Sequence, residues 1–541
     1  MPGLAFTKKR VWTPILRSPL FPGIAIGVAD VARRGPAVAF DATRVAEVAA
    51  AIARERVGGR FWGRPIVGAR HLIVASDIAH LDAAEGEGTI VWPVGTAIAD
   101  AARKRGLAVA PADADPWSLI DAAEVVSGDP AHEVALLAAC AGKLPLDPSA
   151  LHSHLIDTVA YRDPFTGASS DPLAAIDLLG FWRRWIDANR GIAAAAGMAW
   201  WKRAEIARFL WAGQGTIPFL RPAAAIAVAA PADGVIATWP SRVPADFADQ
   251  ATAAGARVHL VEDGFLRSPG LGADLHPPLS VVVDGQGIYY DPSRPCDLET
   301  ILATHEFPPA IKARADRLRQ RIVTRGIGKY GVSTPAAVLD LPAGRRIVLV
   351  AGQVEDDMSV LAGGAGVAGN RDLLERARAA EPDAYLLFRP HPDVEAGHRK
   401  GAVPDAEALR FADVISRGGS LAALLEQVDS VHVLSSLTGF EALLRNRDVV
   451  IHGQPFFAGW GLTRDLAPAM LRRNKKLELD ELIAGALILY PRYLDPRTGL
   501  PCPPETFLDA IVPARSLSPL IRLRQLQGRL RKWFQRRYVA A

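Results

Sequence analysis

Short apolar runs alternate with amphipathic stretches along most of this chain. Residues 65–110 read PIVGARHLIVAS, TIVWPVGTAIADAARKRG and LAVAP: a strand, a strand with its following helix, and a strand. Such spacing predicts parallel α/β layering. Residues 173–215 read as helical, and their tryptophans (Trp182, Trp185, Trp200, Trp201, Trp211) as core packing with one polar N–H each. A second α/β series starts near 223. AAAIAVAA and GVIATW read as strands, DFADQATAAGA as a helix and RVHLVEDG as a strand. PPLSVVVDGQGIYYD has the pattern of a hairpin turning at Asp284-Gly285. A charged helix over 308–325 then leads to a third series: RRIVLVAG (345–352), a helix over 371–380, and the strand AYLLFRP.

Two segments concentrate the polar chemistry. From Val431 to Thr463 the pattern is strand, Ser-Ser turn, amphipathic helix, strand and an aromatic-glycine loop. Ser435 and Ser436 stand where that helix begins, and hydroxyls and unpaired backbone N–H groups there suit a phosphate or carboxylate. Upstream, VEDGFLRSPGLG (261–272) ends an apolar run on Glu262-Asp263 and enters a glycine-rich loop containing Arg267. Together they predict a cleft between two α/β halves that handles an anionic, nucleotide-activated substrate. The expected fold is α/β: two Rossmann-like halves, 191–335 and 336–510, with ligand at the strand C-termini. Residues 1–190 precede them and a tail, 511–541, follows.

The first part echoes the last. YRDPFTGASSDPLAAID (161–177) and YLDPRTGLPCPPETFLD (493–509) share seven identities over seventeen positions. A fainter match aligns VVSGDPAHE (125–133) with VLSSLTGFE (433–441), setting Gly128 opposite Ser436. Two matches in one order suggest duplication. Residues 1–190 then read as a degenerate half-module with a scaffold role.

Length and composition fit two or three globular domains, with half the residues hydrophobic and 22% charged. Cys140, Cys296 and Cys502 stand far apart, which excludes a disulfide framework or Cys-based metal motif and points to a reducing compartment. The N-terminus lacks a signal-peptide pattern and no apolar run reaches the ~20 residues of a membrane span. A cytoplasmic location is expected. The net charge of +4 is local: the tail holds eight basic and no acidic residues, leaving 4 − 8 = −4 for the rest. Leu523, Leu526, Leu530 and Trp533 recur there among arginines, as on a basic amphipathic helix lying on an anionic membrane or docking to a protein surface. The body offers no basic face or aromatic platform for nucleic acid.

EDGFLRSPGLG, PPLSVVVDGQGIYYD with RPCDLE, FRPHPDVEAG, SSLTGFEALL and GQPFFAGWGLT occur in this order, and together they strongly resemble the KpsC family of capsule polysaccharide proteins over roughly 195–510. The resemblance implies a GT-B-like pair of Rossmann-like domains and a retaining β-Kdo glycosyltransferase. It implies CMP-Kdo as donor and a Kdo-primed (lyso)phosphatidylglycerol acceptor at the inner face of the plasma membrane, beside other capsule assembly proteins. Three departures stand out. The first module is truncated, a Trp-Gly-Arg-Lys-like turn becomes Thr238-Trp239-Pro240-Ser241-Arg242, and a Lys-Tyr-Asn signal becomes Lys329-Tyr330-Gly331.

For that chemistry a carboxylate must stabilise or attack the anomeric carbon. Asp263 and Glu262, at a strand end, are the first candidates, and alternation along the strand predicts that one faces the cleft. The competing reading has the pair cap the turn and bind Arg267. His391, within Arg389-Pro390-His391-Pro392-Asp393, would protonate or bind the leaving phosphate, with Arg389 adding charge. Asp393 would orient the ring or be the nucleophile itself. Ser435, Ser436 and Thr438 would hold the phosphate, and Glu441 would reach ribose hydroxyls, unless it is a surface partner of Arg445. Arg267 would pair with the Kdo carboxylate. GQPFFAGWG (453–461) would wall a cytosine or sugar face; Gln353, Asp357 and Ser359 adjoin a weak glycine-rich phosphate signal. No metal or cofactor is expected. The rival to an active enzyme is a non-catalytic scaffold of the capsule assembly and export complex.

Overall fold

The computed structural model describes residues 13–84, 87–267, 276–328, 331–332, 341–397 and 399–511. The basic tail, Lys329-Tyr330 and the glycine-rich loop after Arg267 lie outside the described residues. The chain forms two compact units, residues 1–192 with 210–217, and residues 193–209 with 218–541.

In the first unit the strands are β1 (Ala32–Arg34), β2 (His71–Ala75), β3 (Thr89–Pro93), β4 (Ala108–Val109), β5 (Val125–Gly128), β6 (Val159–Arg162) and β7 (Ser169–Ser170). Four of them make a sheet of order β4-β3-β2-β5, parallel at every pairing. Its core is aliphatic, with Ile73, Val91, Ile98 and Ala102 together. β1, β6 and β7 form a separate antiparallel ribbon.

The second unit continues with β8 (Ile192–Ala196), β9 (Phe219–Leu220), β10 (Val235–Thr238), β11 (Arg257–Asp263) and β12 (Ser280–Asp284). A two-stranded ribbon, β13 (Ile327–Gly328) with β14 (Gly331–Val332), follows the helix Pro309–Thr324. Then come β15 (Ile347–Ala351), β16 (Tyr385–Arg389), β17 (Val414–Ile415), β18 (Ser430–Val433), β19 (Asp448–Ile451) and β20 (Arg464–Asp465). The last strands are β21 (Arg492–Leu494) and β22 (Pro501–Cys502). β15 to β20 make a wholly parallel sheet of order β17-β16-β15-β18-β19-β20. Its central strand, Ile-Val-Leu-Val-Ala, is buried on both faces, as a parallel strand between helices must be. Strand order reverses between β15 and β18, and the C-terminal edge there is where open α/β sheets take ligands. The other sheet has the order β22-β21-β12-β11-β10-β8-β9. The chain therefore crosses back, with β21 pairing antiparallel to β12.

The stronger echo is repeated in structure. Tyr161 and Tyr493 each donate a hydroxyl hydrogen bond six residues back, to the carbonyls of Leu155 (2.6 Å) and Leu487 (2.9 Å). Asp163 and Asp495 each accept from a threonine hydroxyl three residues on. Each also has its carbonyl bonded by the N–H of a left-handed glycine, Gly167 and Gly499, at 2.8 Å. A strand, turn, strand and helix result both times. The fainter echo does not hold in register. Ser127 lies inside β5, whereas Ser435 lies beyond β18. By position in the fold the helix cap Ser436 corresponds to His132, not Gly128.

Three local expectations are corrected. Residues 222–229 form a helix, because alanine favours it and Pro222 sits at its first turn. PPLSVVVDGQGIYYD makes no hairpin: the buried Asp284 carboxylate accepts from the N–H groups of Gln286, Gly287 and Asp297 and from the Tyr490 hydroxyl, which turns the chain away. Trp200 is 67% exposed, whereas Trp182, Trp185 and Trp211 are buried as expected.

A buried imidazole pair sits in the parallel sheet. His432 Nδ1 lies 3.1 Å from His452 Nε2, and Glu381 Oε1 lies 3.7 Å from His432 Nε2. Burial pushes His432 down to about 3 and His452 to about 4, with Arg464 adding to both, Arg346 to the first and Arg376 to the second, and Asp372 opposing at His452. Both values lie below the ~6.5 of an unfolded histidine. Their contribution to stability is thus complete above about pH 6.5 and is lost as pH falls through the folded values. Each imidazole steepens the pH dependence by up to about 1.4 kcal/mol per unit in that window. Denaturant unfolding at about pH 7 and about pH 5 should show a clear loss for the wild type, and His452→Gln should show a smaller one.

Candidate active site

Three adjacent strands of the crossing-back sheet deliver Lys202, Trp239 and Asp263 to one place. Lys202 follows β8 in the short turn Trp200–Lys202, Trp239 follows β10, and Asp263 ends β11. The Lys202 ammonium lies 3.4 Å from Asp263 Oδ1 and 3.2 Å from the centre of the Trp239 ring. Arg267 Nε donates to Asp263 Oδ2 at 2.6 Å, and Arg267 Nη2 donates to the His276 carbonyl at 2.6 Å. Burial pushes Lys202 below the ordinary ammonium value, against the pull of Asp263 and Glu262, with Arg267 adding to the depression. Gly264 is required for this turn: a Cβ there would come 2.0 Å from Ser280 Oγ.

Glu262 is not turned out of the site. Its Oε1 folds back to accept the Asp263 N–H at 3.0 Å. Its charge, like that of Asp263, bears on Lys202 and Tyr289. Alternation along a strand fails here because β11 ends at this pair. Tyr289 donates to the Asp263 carbonyl at 3.3 Å. Burial raises Tyr289 and Tyr290 above the ordinary phenol value. Glu262 and Asp357 add to it at both, and Asp357 belongs to the loop after β15. Carboxylates from both sheets therefore converge on two protonated phenols.

On the parallel sheet, the crevice between β15 and β18 is bounded by a two-way contact. Gln353 Nε2 donates to Ser435 Oγ at 3.1 Å, and Ser435 N–H donates to Gln353 Oε1 at 2.8 Å. The Asn370 side-chain amide fixes the Gln353 main chain, its Oδ1 accepting the Gln353 N–H and its Nδ2 donating to the Gln353 carbonyl, both at 2.8 Å. Ser436 caps the helix Leu437–Leu443, accepting from the Thr438 N–H at 3.2 Å. His391 leaves β16 on the same edge. Its Nδ1 accepts the Asp393 N–H at 3.1 Å, so the neutral ring carries its proton on Nε2. The Asp393 backbone, rather than its carboxylate, thus orients the ring; Oδ2 is 3.9 Å from Nδ1.

Arg267 is 1% exposed and grips Asp263, and Glu262 accepts the Asp263 N–H: these are the contacts of the competing reading, in which the acidic pair caps the turn and binds Arg267. Other residues take places that the sequence pattern did not foretell. Arg389 donates to the carbonyls of Gly418 and Gly419 at 2.8 and 2.7 Å, pinning that loop. Glu441 is buried rather than on the surface, and Arg445 donates to its carbonyl oxygen at 3.0 Å. A Cβ on Gly328 would lie 3.0 Å from Glu441 Oε2, which puts this carboxylate beside β13. The loop 453–461 is no aromatic wall: Phe456, Phe457 and Trp460 are buried. Lys202, Tyr289 and Asn370 escaped the sequence reading. A lysine or tyrosine pair just past a short apolar run was the available signal, and it is a faint one.

An aromatic cluster draws these segments together. Phe265, two residues past Asp263, stacks on Phe456 with ring centres 4.3 Å apart. Tyr289 meets Phe265 edge-on at 4.8 Å, and Phe440 lies 5.3 Å from Phe456. Behind it, buried Glu299 binds Arg472 at 2.6 Å and Arg473 at 3.0 Å, and Arg473 Nη1 donates to the Ala458 carbonyl at 2.9 Å.

Comparison with known proteins agrees with this arrangement. The family model described as "Capsule polysaccharide biosynthesis protein" matches residues 234–326 and 317–493. The chain is 37% identical over 360 residues to the capsule polysaccharide modification protein LipA of Neisseria meningitidis serogroup A, covering 66% of this chain and 50% of LipA. It is 46% identical over 237 residues to the lipopolysaccharide-processing protein LpsZ of Rhizobium meliloti, covering 43% of this chain and 53% of LpsZ. The chain thus spans about half the length of these relatives. A solved structure, Thermosulfurimonas dismutans KpsC, beta Kdo 2,4 transferase, is 31% identical with a TM-score of 0.51, covering 59% of this chain and 97% of that one. Sheets and site together define an α/β protein with a glycosyltransferase-like fold. The chain belongs to the KpsC-type family of capsule polysaccharide proteins.

Truncating Phe456 removes the stack from a fully packed place. Phe456→Ala should cost about 3–5 kcal/mol of stability by denaturant unfolding, with a wild-type slope if the fold is otherwise kept.

Proposed function

We propose that the chain is a retaining β-Kdo transferase that moves Kdo from CMP-Kdo to a Kdo-primed (lyso)phosphatidylglycerol, building the linker on which capsule polysaccharide is exported. One observation carries the reading: Asp263, held at both carboxylate oxygens by cations, ends a strand of one sheet and is tied through Phe265, Phe456 and Phe440 to the loop after β19 and the helix after β18 of the other. The similarity to KpsC, whose solved portion is called a beta Kdo 2,4 transferase, supports the sugar. On this reading the two sheets of the second unit are the halves of a GT-B arrangement, with limits near 191 and 336, and β21 and β22 cross back to the first half rather than ending the second.

Asp263 attacks the anomeric carbon as the bond to the CMP phosphate breaks, and the electron pair leaves with CMP. An acceptor hydroxyl then displaces Asp263 from the opposite face and gives its proton to the phosphate of the departing CMP, so configuration is retained and Asp263 returns to a carboxylate. His391 donates a hydrogen bond from Nε2 to the leaving phosphate. Ser435, Ser436 and Thr438 hold that phosphate beside Gln353 at the crevice, and Glu441 supports the nucleotide from behind. Glu262 sets the charge around Asp263, Arg267 fixes its orientation, and Arg389 and Asp393 shape the His391 loop. No step needs a metal.

The first unit has the β4-β3-β2-β5 order but no serine pair after its β5, which ends on Gly128 with the Asp129 N–H bonded to the Val74 carbonyl at 2.8 Å. The loss of that polar turn favours a scaffold role for residues 1–190. No helix among the described residues is long and apolar enough to cross a membrane. Contact with the inner leaflet is assigned to the basic tail.

Incubation with CMP-Kdo and a Kdo-primed lipid glycerol acceptor tests this. A β-linked product, read by mass spectrometry and NMR, is expected. It should vanish in Asp263→Ala and fall about 10²–10⁴-fold in His391→Ala. CMP binding without turnover would favour the scaffold reading, and failure to bind CMP would remove the Ser435 site.

A further inference from the structure

Lys202 is an ammonium with counter-charge nearby but few hydrogen-bond acceptors. Its side chain is 10% exposed. Among the described residues its Nζ has one hydrogen-bond acceptor, Asp263 Oδ1, at 3.4 Å. That is longer than the usual 2.7–2.9 Å of a charge-assisted bond. An ammonium donates three hydrogen bonds, and the Trp239 face supplies attraction but no acceptor oxygen. Arg267, by contrast, is buried against Asp263 Oδ2 and the His276 carbonyl.

The two oxygens of Asp263 therefore differ. Arg267 Nε lies 2.6 Å from Oδ2 and Lys202 Nζ lies 3.4 Å from Oδ1. Lys202 thus stands beside the carboxylate that is to attack. In an ulosonic acid such as Kdo the attacked carbon itself carries a carboxylate, so nucleophile and substrate repel one another as they meet. Resting on the transferase reading above, we infer that Lys202 is the specificity residue for the donor. Its ammonium binds the carboxylate on the anomeric carbon, selecting nucleotide-activated ulosonic acids over sugars without that group. Lys202 then shields Asp263 from the second negative charge during attack. Arg267 is left with the positioning of Asp263.

The test is isothermal titration of wild type, Lys202→Met and Lys202→Gln with CMP, CMP-Kdo and the C1 carboxamide of CMP-Kdo. Wild type should prefer the carboxylate over the carboxamide by about tenfold or more, the scale of one charge-assisted contact. Either variant should bind the two alike while keeping wild-type affinity for CMP, which also shows that it is folded. A preference surviving in a variant that binds CMP overturns the assignment, as does a wild type indifferent to the amide. A wild type that binds CMP but not CMP-Kdo overturns the choice of donor, and this inference with it.

Discussion

The contact between Phe265 and Phe456 governs the second unit. Phe265 is covalently two residues from Asp263, and Phe456 lies in the loop after β19 of the other sheet. Stacked at 4.3 Å, with Phe440 and Tyr289 against them, they fix the end of β11 relative to the helix that begins at Ser436. Aromatic pairs have preferred geometries as well as buried area, so the contact sets direction and distance together. The Glu299 pair with Arg472 and Arg473 holds the same loop from behind. Because buried ion pairs return little net stability, its effect is in the placement of the loop.

Charge is then arranged on that frame. Carboxylates crowd the ends of β11 and β15, and burial keeps the nearby tyrosines protonated. Lys202 and Arg267 offset the carboxylates unequally, one loosely and one tightly. Such inequality has one side chain meet a near cation at one oxygen and a more distant one at the other. Position after three neighbouring strands, rather than proximity in sequence, makes the combination.

Much of this was legible in the chain. Continuous apolar runs announced the parallel strands, since burial on both faces leaves no polar alternation to find. Asp263 and Ser435 stand out in the sequence because each follows or ends such a run. What was missed depends on contacts between distant segments. Nothing local says that Arg389 serves Gly418 and Gly419, or that Lys202 meets Asp263 across sixty-one residues. The helix at 222–229 was missed because an apolar run of that length suits either structure until its partners are known. Phe456 and Phe457 were misjudged because an aromatic composition does not distinguish a wall from a core.

The repeated tyrosine turn has a further meaning. Tyr161 with Asp163 and Tyr493 with Asp495 make the same bonds in two settings, one a three-stranded antiparallel ribbon and the other the edge of the seven-stranded sheet that carries Asp263. The polypeptide thereby carries its own control experiment. Features common to both copies belong to the folding code, since they persist in sheets of different build. Asp495, buried, charged and rich in hydrogen bonds, would otherwise look catalytic; its twin shows that it is architecture.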